Sequence, residues 1–175
     1  LVARGTLPLA CRITLGGLAT WTRKGSGTAA AVVGLDGTHR DPELDVEGAL
    51  VRTATATEGW YARARAQRRW AGGWAADLTA VDAGHDFDPN DLGYLARADE
   101  QRLSGRLQRR LEPLGPFQEA TAGAQAGWGR DQAGHVHSRW ISADFGGNLT
   151  TFYGLWGGAS VALPAEDDQE LRTFH

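Results

Sequence analysis

The sequence predicts an all-β protein, folded as an antiparallel up-and-down meander of about eight to ten strands. Three observations predict this fold class. Apolar residues recur at every second position over most of the chain, which is the period of a strand and not of a helix. The breaks between these runs carry Gly, Pro, Asn and Asp, the residues that form turns. Most breaks are short, and short connections join consecutive strands as antiparallel neighbours.

The alternation is clearest between Trp60 and Trp70, where the even positions through Ala66 are apolar and the odd positions carry Tyr, Arg and Gln. The same period recurs before and after that segment, and it is less regular over residues 28–37 and 135–145. In chain order, the candidate strands cover residues 9–21, 28–37, 44–50, 60–70, 74–80, 103–111, 120–128, 135–145 and 149–163.

Each regular candidate separates apolar from polar side chains. The first places Leu, Ile, Cys, Ala and Trp at odd positions, and its even positions include Arg and Thr. The third and fifth set Leu, Val, Trp and Ala against Asp, Glu and Thr. The sixth sets leucines against arginines, the seventh sets alanines against Glu, Thr and Gln, and the ninth sets Leu, Tyr and Val against Thr, Gly and Ser.

The breaks between candidates carry turn residues, and the prolines fall at strand starts or in breaks, because a proline cannot donate to a ladder. One longer irregular stretch covers residues 84–95. The short breaks lie at residues 24–27, 41–42, 71–73, 113–116, 131–134 and 146–148.

Helices are the alternative in two segments. Residues 146–165 contain no charge and have the length of a membrane-spanning helix, but they hold five glycines and an apolar set of single parity. Residues 92–111 are rich in Arg, Leu, Ala and Gln, which also suit a helix. Gly105 and the two-residue period favour a strand there.

The apolar side of the predicted sheet suits lipid as well as a protein core. Many of its positions are alanine, which fills a core poorly but still offers an apolar surface. Trp60 and Trp70 share this side ten residues apart, a span of about 24 Å at a tilt of about 45°, close to the roughly 25 Å apolar band of an outer-membrane barrel. We expect an aromatic girdle of Trp21, Trp60, Trp70, Trp74 and Trp128.

The opposite side is densely ionic. In a barrel these side chains would line a wet lumen; in a soluble protein they would form a solvated face, with Trp pairs closing the core. Both interpretations remain open on the pattern alone. The candidates for a lumen-facing position are Arg63, Arg65, Arg69, Arg102, Arg106, Arg110, Asp45 and Glu47.

A resemblance favours the barrel. The run Asp-Phe-Asp-Pro-Asn-Asp-Leu-Gly-Tyr-Leu-Ala-Arg-Ala-Asp at residues 86–99 resembles the characteristic loop of an uncharacterised family of bacterial outer-membrane β-barrels. Further matching landmarks bring the similarity to residues 9–165: Leu-Gly-Gly-Leu at 15–18, Val-Gly-Leu-Asp-Gly at 33–37, an arginine-bearing hairpin at 60–74 and Glu-Pro-Leu-Gly-Pro-Phe at 112–117.

The resemblance implies a partial or complete transmembrane β-barrel, so we expect residues 1–175 to be a single barrel domain or a fragment of one. In that family the barrel usually follows a domain like the family 9 carbohydrate-binding modules. Neither that domain nor the closing strands of the barrel are found in this sequence. The loop residues that carry the resemblance include Asp86, Asp88, Asn90, Asp91 and Gly93.

Composition excludes several other classes. The net charge of −3 and the pI of about 5.9 disfavour nucleic acid as a partner. A single cysteine, Cys11, excludes an internal disulfide framework, and we expect it to be inert on the apolar side. The chain has no methionine and no signal-peptide pattern, so we expect a mature piece or an internal fragment.

Two motifs suggest metal binding. Gly129 followed by His135-Val136-His137 matches the opening of the cupin motif, but the carboxylate and the later histidine of that motif are missing. Asp86, Asp88 and Asn90 have the spacing of an EF-hand start, without the closing Glu at the twelfth position. A turn held by local side-chain hydrogen bonds explains the acidic run better. We therefore expect no metal and no cofactor.

The sequence contains no nucleophile elbow, Ser-His-Asp spacing or phosphate loop, so we expect no enzyme. The expected function is a module of a bacterial outer-membrane barrel, with the lipid bilayer as partner and an arginine-rich lumen that admits or binds a polar solute such as a glycan. The alternative is a soluble β-barrel or sandwich that binds a small ligand, with a metal at His135 and His137.

Overall fold

A computed structural model describes residues 2–23, 29–54, 58–87, 99–113, 115–151 and 153–164. They form one antiparallel sheet of ten strands, joined in one place by a short 3-10 turn at Ala71–Gly73. The strands are β1 (Val2–Ala10), β2 (Ile13–Arg23), β3 (Ala29–Arg40), β4 (Leu44–Ala54), β5 (Glu58–Trp70), β6 (Trp74–Ala83), β7 (Glu100–Leu111), β8 (Phe117–Arg130), β9 (Val136–Leu149) and β10 (Gly154–Ala162).

The strands follow one another across the sheet in chain order, so each pairs with its predecessor and its successor. The predicted all-β antiparallel meander is therefore confirmed. In the described part of the chain β1 and β10 are the two edges and do not pair, so the sheet is open. An open meander of this kind is compatible with part of a barrel.

The sequence predicted one strand at residues 9–21 where the structure has a hairpin. β1 ends at Ala10, β2 begins at Ile13, and the register pairs Ala10 with Ile13 and Leu7 with Leu15. Cys11 and Arg12 form the connection without any of the usual turn residues, so the pattern continued through it. Cys11 is thus exposed in a turn, and its expected place within a strand on the apolar side is wrong.

Three smaller expectations also differ. The glycines at 146–148 do not break the chain, because β9 continues to Leu149 and the turn follows it. Pro8 lies inside β1 and not at a strand start, which is tolerated because β1 is an edge strand. The helical alternatives are wrong wherever the structure describes their segments, since β7 covers Glu100–Leu111 and β10 covers Gly154–Ala162.

The two ends of the sheet differ in their connections. The end that we call the turn end carries the short connections at residues 11–12, 41–43, 71–73, 112–116 and 150–153. At 71–73, Gly72 and Gly73 both have a φ of 77°, a left-handed backbone that other residues adopt at a cost. The loop end carries the remaining connections, including the long one at residues 84–99.

Little of the described chain is buried. The buried apolar side chains are Val32, Val81, Ala83, Phe87, Ala120 and Val136. Phe87 stacks on Tyr61 with ring centroids 5.5 Å apart, and a Cβ on Gly59 would collide with the Phe87 backbone. The start of the long connection therefore folds over the sheet at its loop end. No second layer of strands or helices covers the sheet in the ranges given above.

Candidate functional site

The register divides the sheet into two faces, because directly paired residues of neighbouring strands point to the same side. One row of partners passes from Leu35 through Leu50 and Ala62, and a parallel row joins Ala66 to Leu78. We call the side that contains these residues the apolar face. The next row, from Thr38 through Glu47 to Arg65, lies on the opposite side, which we call the ionic face.

The apolar face is open to its surroundings. Leu35 is 64% exposed, Leu50 54% and Ile141 55%, although they lie in the interior of long strands. Leu7, Leu15, Leu78, Leu107, Leu155 and Val161 are exposed on the same face. A soluble monomer rarely exposes an apolar surface of this extent, so this face requires another apolar medium or partner.

The five tryptophans of the predicted girdle all lie on the apolar face. Three of them are near the loop end, within two residues of the end of β2, the start of β5 and the end of β8: Trp21, Trp60 and Trp128. The other two, Trp70 and Trp74, are paired with each other at the turn end. The apolar face is thus bounded by tryptophan at both ends.

Among the side chains that the structure describes, charged residues of the apolar face occur only near strand ends. Each lies within three residues of the end of its strand: Arg52, Glu58, Arg68, Asp82, Arg109, Arg130 and Arg139. Three of them reach a girdle tryptophan. The guanidinium carbons of Arg68, Arg109 and Arg130 lie 5.4, 5.2 and 5.3 Å from the ring centres of Trp70, Trp74 and Trp128.

Arg68 is the residue that interrupts the alternation of β5 in the sequence. It lies on the apolar face two positions before Trp70, and its side chain extends along the strand to the tryptophan ring. A long side chain can cover apolar surface with its methylenes while its charge reaches a polar boundary. The stack on Trp70 therefore explains how a charged residue fits at this position.

The eight predicted ionic residues share the opposite face, and the first cluster of them spans β4 to β6. Arg63 Nη2 lies 3.5 Å from Glu47 Oε1, and Arg65 Nη1 lies 3.8 Å from the same oxygen. Arg65 Nη2 also lies 2.6 Å from Asp77 Oδ2, while Arg69 Nη2 donates to Asp45 Oδ2 at 3.2 Å. Each guanidinium of this cluster therefore has a carboxylate partner.

The second cluster spans β7 to β9. Arg102 pairs with Glu100 at 3.7 Å, and Arg110 pairs with Glu119 at 3.1 Å. Arg106 Nη2 donates to Asp144 Oδ2 at 2.7 Å, although Asp144 lies on β9, two strands away. Gly123 of β8 makes this bridge possible, because a Cβ there would lie 3.1 Å from Arg106 Nη2 and 3.2 Å from both carboxylate oxygens.

Two tryptophans of the ionic face were missed by the sequence reasoning. Trp140 and Trp156 lie on the ionic face, paired with Gly127 and Gly146. A Cβ on Gly127 would lie 2.5 Å from the Trp140 ring, and one on Gly146 would lie 2.6 Å from the Trp156 ring. The signal in the sequence for such a tryptophan is a glycine at the paired position of the neighbouring strand. This signal can be recognised only when the register between the strands is known.

The loop motif is only partly described. Asp86 is exposed in the turn after β6, and Asp88, Asn90, Asp91 and Gly93 lie outside the described residues. The two ends of the connection meet, because the Gly84 carbonyl accepts hydrogen bonds from the amides of Phe87 at 3.1 Å and Asp99 at 3.3 Å. The loop therefore leaves and re-enters the sheet at one point.

The two histidines of the metal alternative lie in different elements, His135 in a turn and His137 in β9. His135 belongs to the turn before β9, where its Nδ1 lies 3.0 Å from Asp131 Oδ2, so it does not alternate with His137 along a strand. His137 Nε2 is enclosed and has no hydrogen-bond partner among the residues that the structure describes. Within the described ranges, no three His, Cys, Asp or Glu residues are grouped so that they could hold a metal ion.

Asp131 titrates below its ordinary range. Desolvation raises the pKa of Asp131, but hydrogen bonds from the side chain and backbone of His135, with the His135 charge, lower that pKa by more. The His135 amide donates to Asp131 Oδ1 at 2.8 Å, and the Asp131 amide donates a hydrogen bond to the His135 carbonyl at 3.0 Å. The pair thus closes the turn between β8 and β9.

No family model, curated protein or solved structure matches this chain. In the part of the chain that the structure describes, no helix has the length and the apolar character to cross a membrane.

Proposed function

We propose that this chain is a module of a bacterial outer-membrane β-barrel, with the apolar face against lipid and the ionic face lining a wet lumen that admits or holds a polar solute. One observation carries the proposal: the exposed apolar face is continuous across the sheet and bounded at both ends by tryptophan, while the reverse of the same strands is ionic. This is the distribution that a transmembrane strand requires.

The dimensions agree with a bilayer. The described strands contain nine to fourteen residues, and a transmembrane strand needs about nine to eleven. The ten residue steps from Trp60 to Trp70 span about 24 Å along the membrane normal for a strand tilt of 45° and about 29 Å for 30°. The apolar band of outer-membrane barrels is about 25 Å tall.

The stagger of the strands supports a barrel over a flat sheet. Directly paired residues form a row across the sheet, which starts at Ala10, the last residue of β1. The row ends at Val161, seven residues beyond Gly154, where β10 begins. A climb of seven residues over nine strand spacings corresponds to a tilt of roughly 30°, near the 35–45° of closed barrels. The intermediate members of the row are Ile13, His39, Val46, Ala66, Leu78, Gly105, Ala126 and Ile141.

The energetics favour lipid over water on the apolar face. An exposed leucine costs roughly 1.5–3 kcal/mol relative to a buried one, and this face exposes many large apolar side chains at once. On the ionic face, a lumen would keep the paired guanidinium and carboxylate groups hydrated. The reverse arrangement would place these ions in hydrocarbon, where a midplane arginine costs about 2–4 kcal/mol.

Quenching by lipid tests the proposal. The 175-residue chain is folded into vesicles whose acyl chains carry bromine, which quenches tryptophan fluorescence on contact. We expect Trp60→Phe to reduce the quenchable fraction of the fluorescence, and Trp156→Phe, which removes an unquenched tryptophan of the ionic face, to raise it. Equal effects of the two substitutions, or a monodisperse monomer that needs no detergent, would reject lipid contact at the apolar face.

A further inference from the structure

An open depression lies on the ionic face near the turn end, between β8, β9 and β10. Its volume is about 600 Å³, which is within the range of small-molecule sites. The side chains that define it are Arg106, Glu119, Thr121, Asp144, Asn148 and Trp156. It is separate from the girdle, because these residues face away from the apolar side.

Trp156 lies flat across the floor of this depression. The ring occupies the space that side chains would fill at Gly146 and Gly154, since a Cβ on either glycine would collide with it. Trp156 is nevertheless 74% exposed, so the indole is open except where it lies over the two glycines. A fixed indole with one open face is a platform on which a flat, weakly polar surface can stack.

Trp156 lies on the edge strand β10, where every residue is exposed, and it is the most exposed of the described tryptophans. The five girdle tryptophans lie on the apolar face, and Trp140, which also lies on the ionic face, is less exposed. Trp156 instead presents a large apolar surface among charged and amide groups. Such a combination of one aromatic surface and a few placed polar groups is typical of ligand sites.

The charges around Trp156 are balanced. Arg106 is paired with Asp144 at 2.7 Å, and the Glu119 carboxylate of the depression is paired with Arg110 at 3.1 Å. An anionic ligand would find no uncommitted cation among these residues, and a cationic ligand no uncommitted anion. The Oδ1 atom of Asp144 is buried without a hydrogen-bond partner within the described ranges, so Oδ2, which accepts from Arg106, is the carboxylate oxygen that remains for a ligand.

A neutral saccharide matches these features together. A pyranose ring has an apolar C–H face that stacks on indole, and its hydroxyl groups both donate and accept hydrogen bonds. Arg106 and the Asn148 amide can donate to such hydroxyls, while Asp144, Asn148 and Thr121 can accept from them. We infer that the depression around Trp156 is a binding site for a neutral oligosaccharide. The inference rests on the proposed function, in which this face is the wet one, and names the solute class.

Calorimetric titration of the folded chain in detergent tests the inference. The probes are hexasaccharides of α-1,4-glucose, β-1,4-glucose and β-1,4-N-acetylglucosamine, with α-1,4-galacturonate as an anionic control. We expect at least one neutral probe to bind, and Trp156→Ala to weaken it at least tenfold. The matched control Trp74→Ala, on the apolar face, should change the affinity less than twofold.

A second variant, Asn148→Ala, guards against a folding defect in Trp156→Ala, and we expect it to weaken binding at least threefold with unchanged β-sheet circular dichroism. Binding of galacturonate alone, binding of no probe, or equal affinities in the wild type and Trp156→Ala would each overturn the inference. If the chain binds a saccharide but its tryptophans are not quenched by brominated lipid, the saccharide site is supported and the lipid contact is rejected. The two proposals can therefore fail separately.

Discussion

Alanine on the apolar face is the residue-scale feature that separates a lipid-facing sheet from a protein core. Ala62, Ala64 and Ala66 follow one another on this face of β5, and Ala64 is exposed. Small side chains leave gaps in a packed core, where each missing methylene is felt. Fluid acyl chains fill such gaps, so the small residues are compatible with lipid.

Ala64→Arg places a charge at the middle of this band. We expect it to destabilise the chain in a bilayer by roughly 2–4 kcal/mol, because the guanidinium would lie near the midplane. The matched control is Ala49→Arg on the neighbouring strand, which points to the ionic face and should cost less than about 1 kcal/mol. Urea titrations of folding into vesicles measure both, and equal costs would contradict the assigned faces.

Gly123 controls the bridge between Arg106 and Asp144. Gly123→Ala brings a methyl group to about 3.1 Å from the guanidinium, closer than a side chain normally packs, so the ion pair must move. We expect the coupling energy of Arg106→Ala and Asp144→Ala, about 0.5–1 kcal/mol for a partly exposed pair, to fall to near zero in the Gly123→Ala background. A double-mutant cycle whose coupling is unchanged would show that the glycine is not required.

At the scale of elements, the turn between β8 and β9 depends on the charge of Asp131. The folded pKa of Asp131 is depressed below its ordinary value, so its contribution to stability is present above a pH of about 4 and is lost as the pH falls through the depressed pKa. We expect the carboxyl pKa, followed by NMR, to rise in His135→Ala. A pKa that stays low without the imidazole would mean that the backbone bonds alone lower it.

Most strands could be predicted from the sequence because each keeps a strict period of two with one apolar side. The hairpin of β1 and β2 could not, because Cys11–Arg12 continues the alternation through the turn and contains no turn residue. Gly146–Asn148 showed the converse problem, since glycines that make room for Trp156 and Phe117 look like a break. Local composition does not distinguish a glycine that turns the chain from one that yields space to a neighbour.

The site was predictable to the same extent. Alternation alone is enough to assign the eight ionic residues and the five girdle tryptophans to opposite faces. The bridge from Arg106 to Asp144 and the floor beneath Trp156 were not predictable, because both depend on the register between strands. A register error of one residue would reverse every such assignment.

At the scale of the whole molecule, the two ends of the sheet predict an orientation. Outer-membrane barrels have short turns on the periplasmic side and longer loops outside. The turn end of this sheet has short connections throughout the described ranges, and the loop end carries the long connection at residues 84–99. The turn end should therefore remain on the side from which the chain inserts, and the loop end should cross the bilayer.

Cys11 reports this orientation because it is exposed in the turn between β1 and β2 and is the chain's one cysteine. When the chain folds into preformed vesicles from outside, we expect a membrane-impermeant maleimide to label Cys11 at once. The control, Cys11→Ser combined with His85→Cys, moves the thiol to an exposed residue at the loop end and should be labelled only after the vesicles are lysed. If both thiols react before lysis, the loop end has not crossed the bilayer, and the sheet lies on the surface of the membrane.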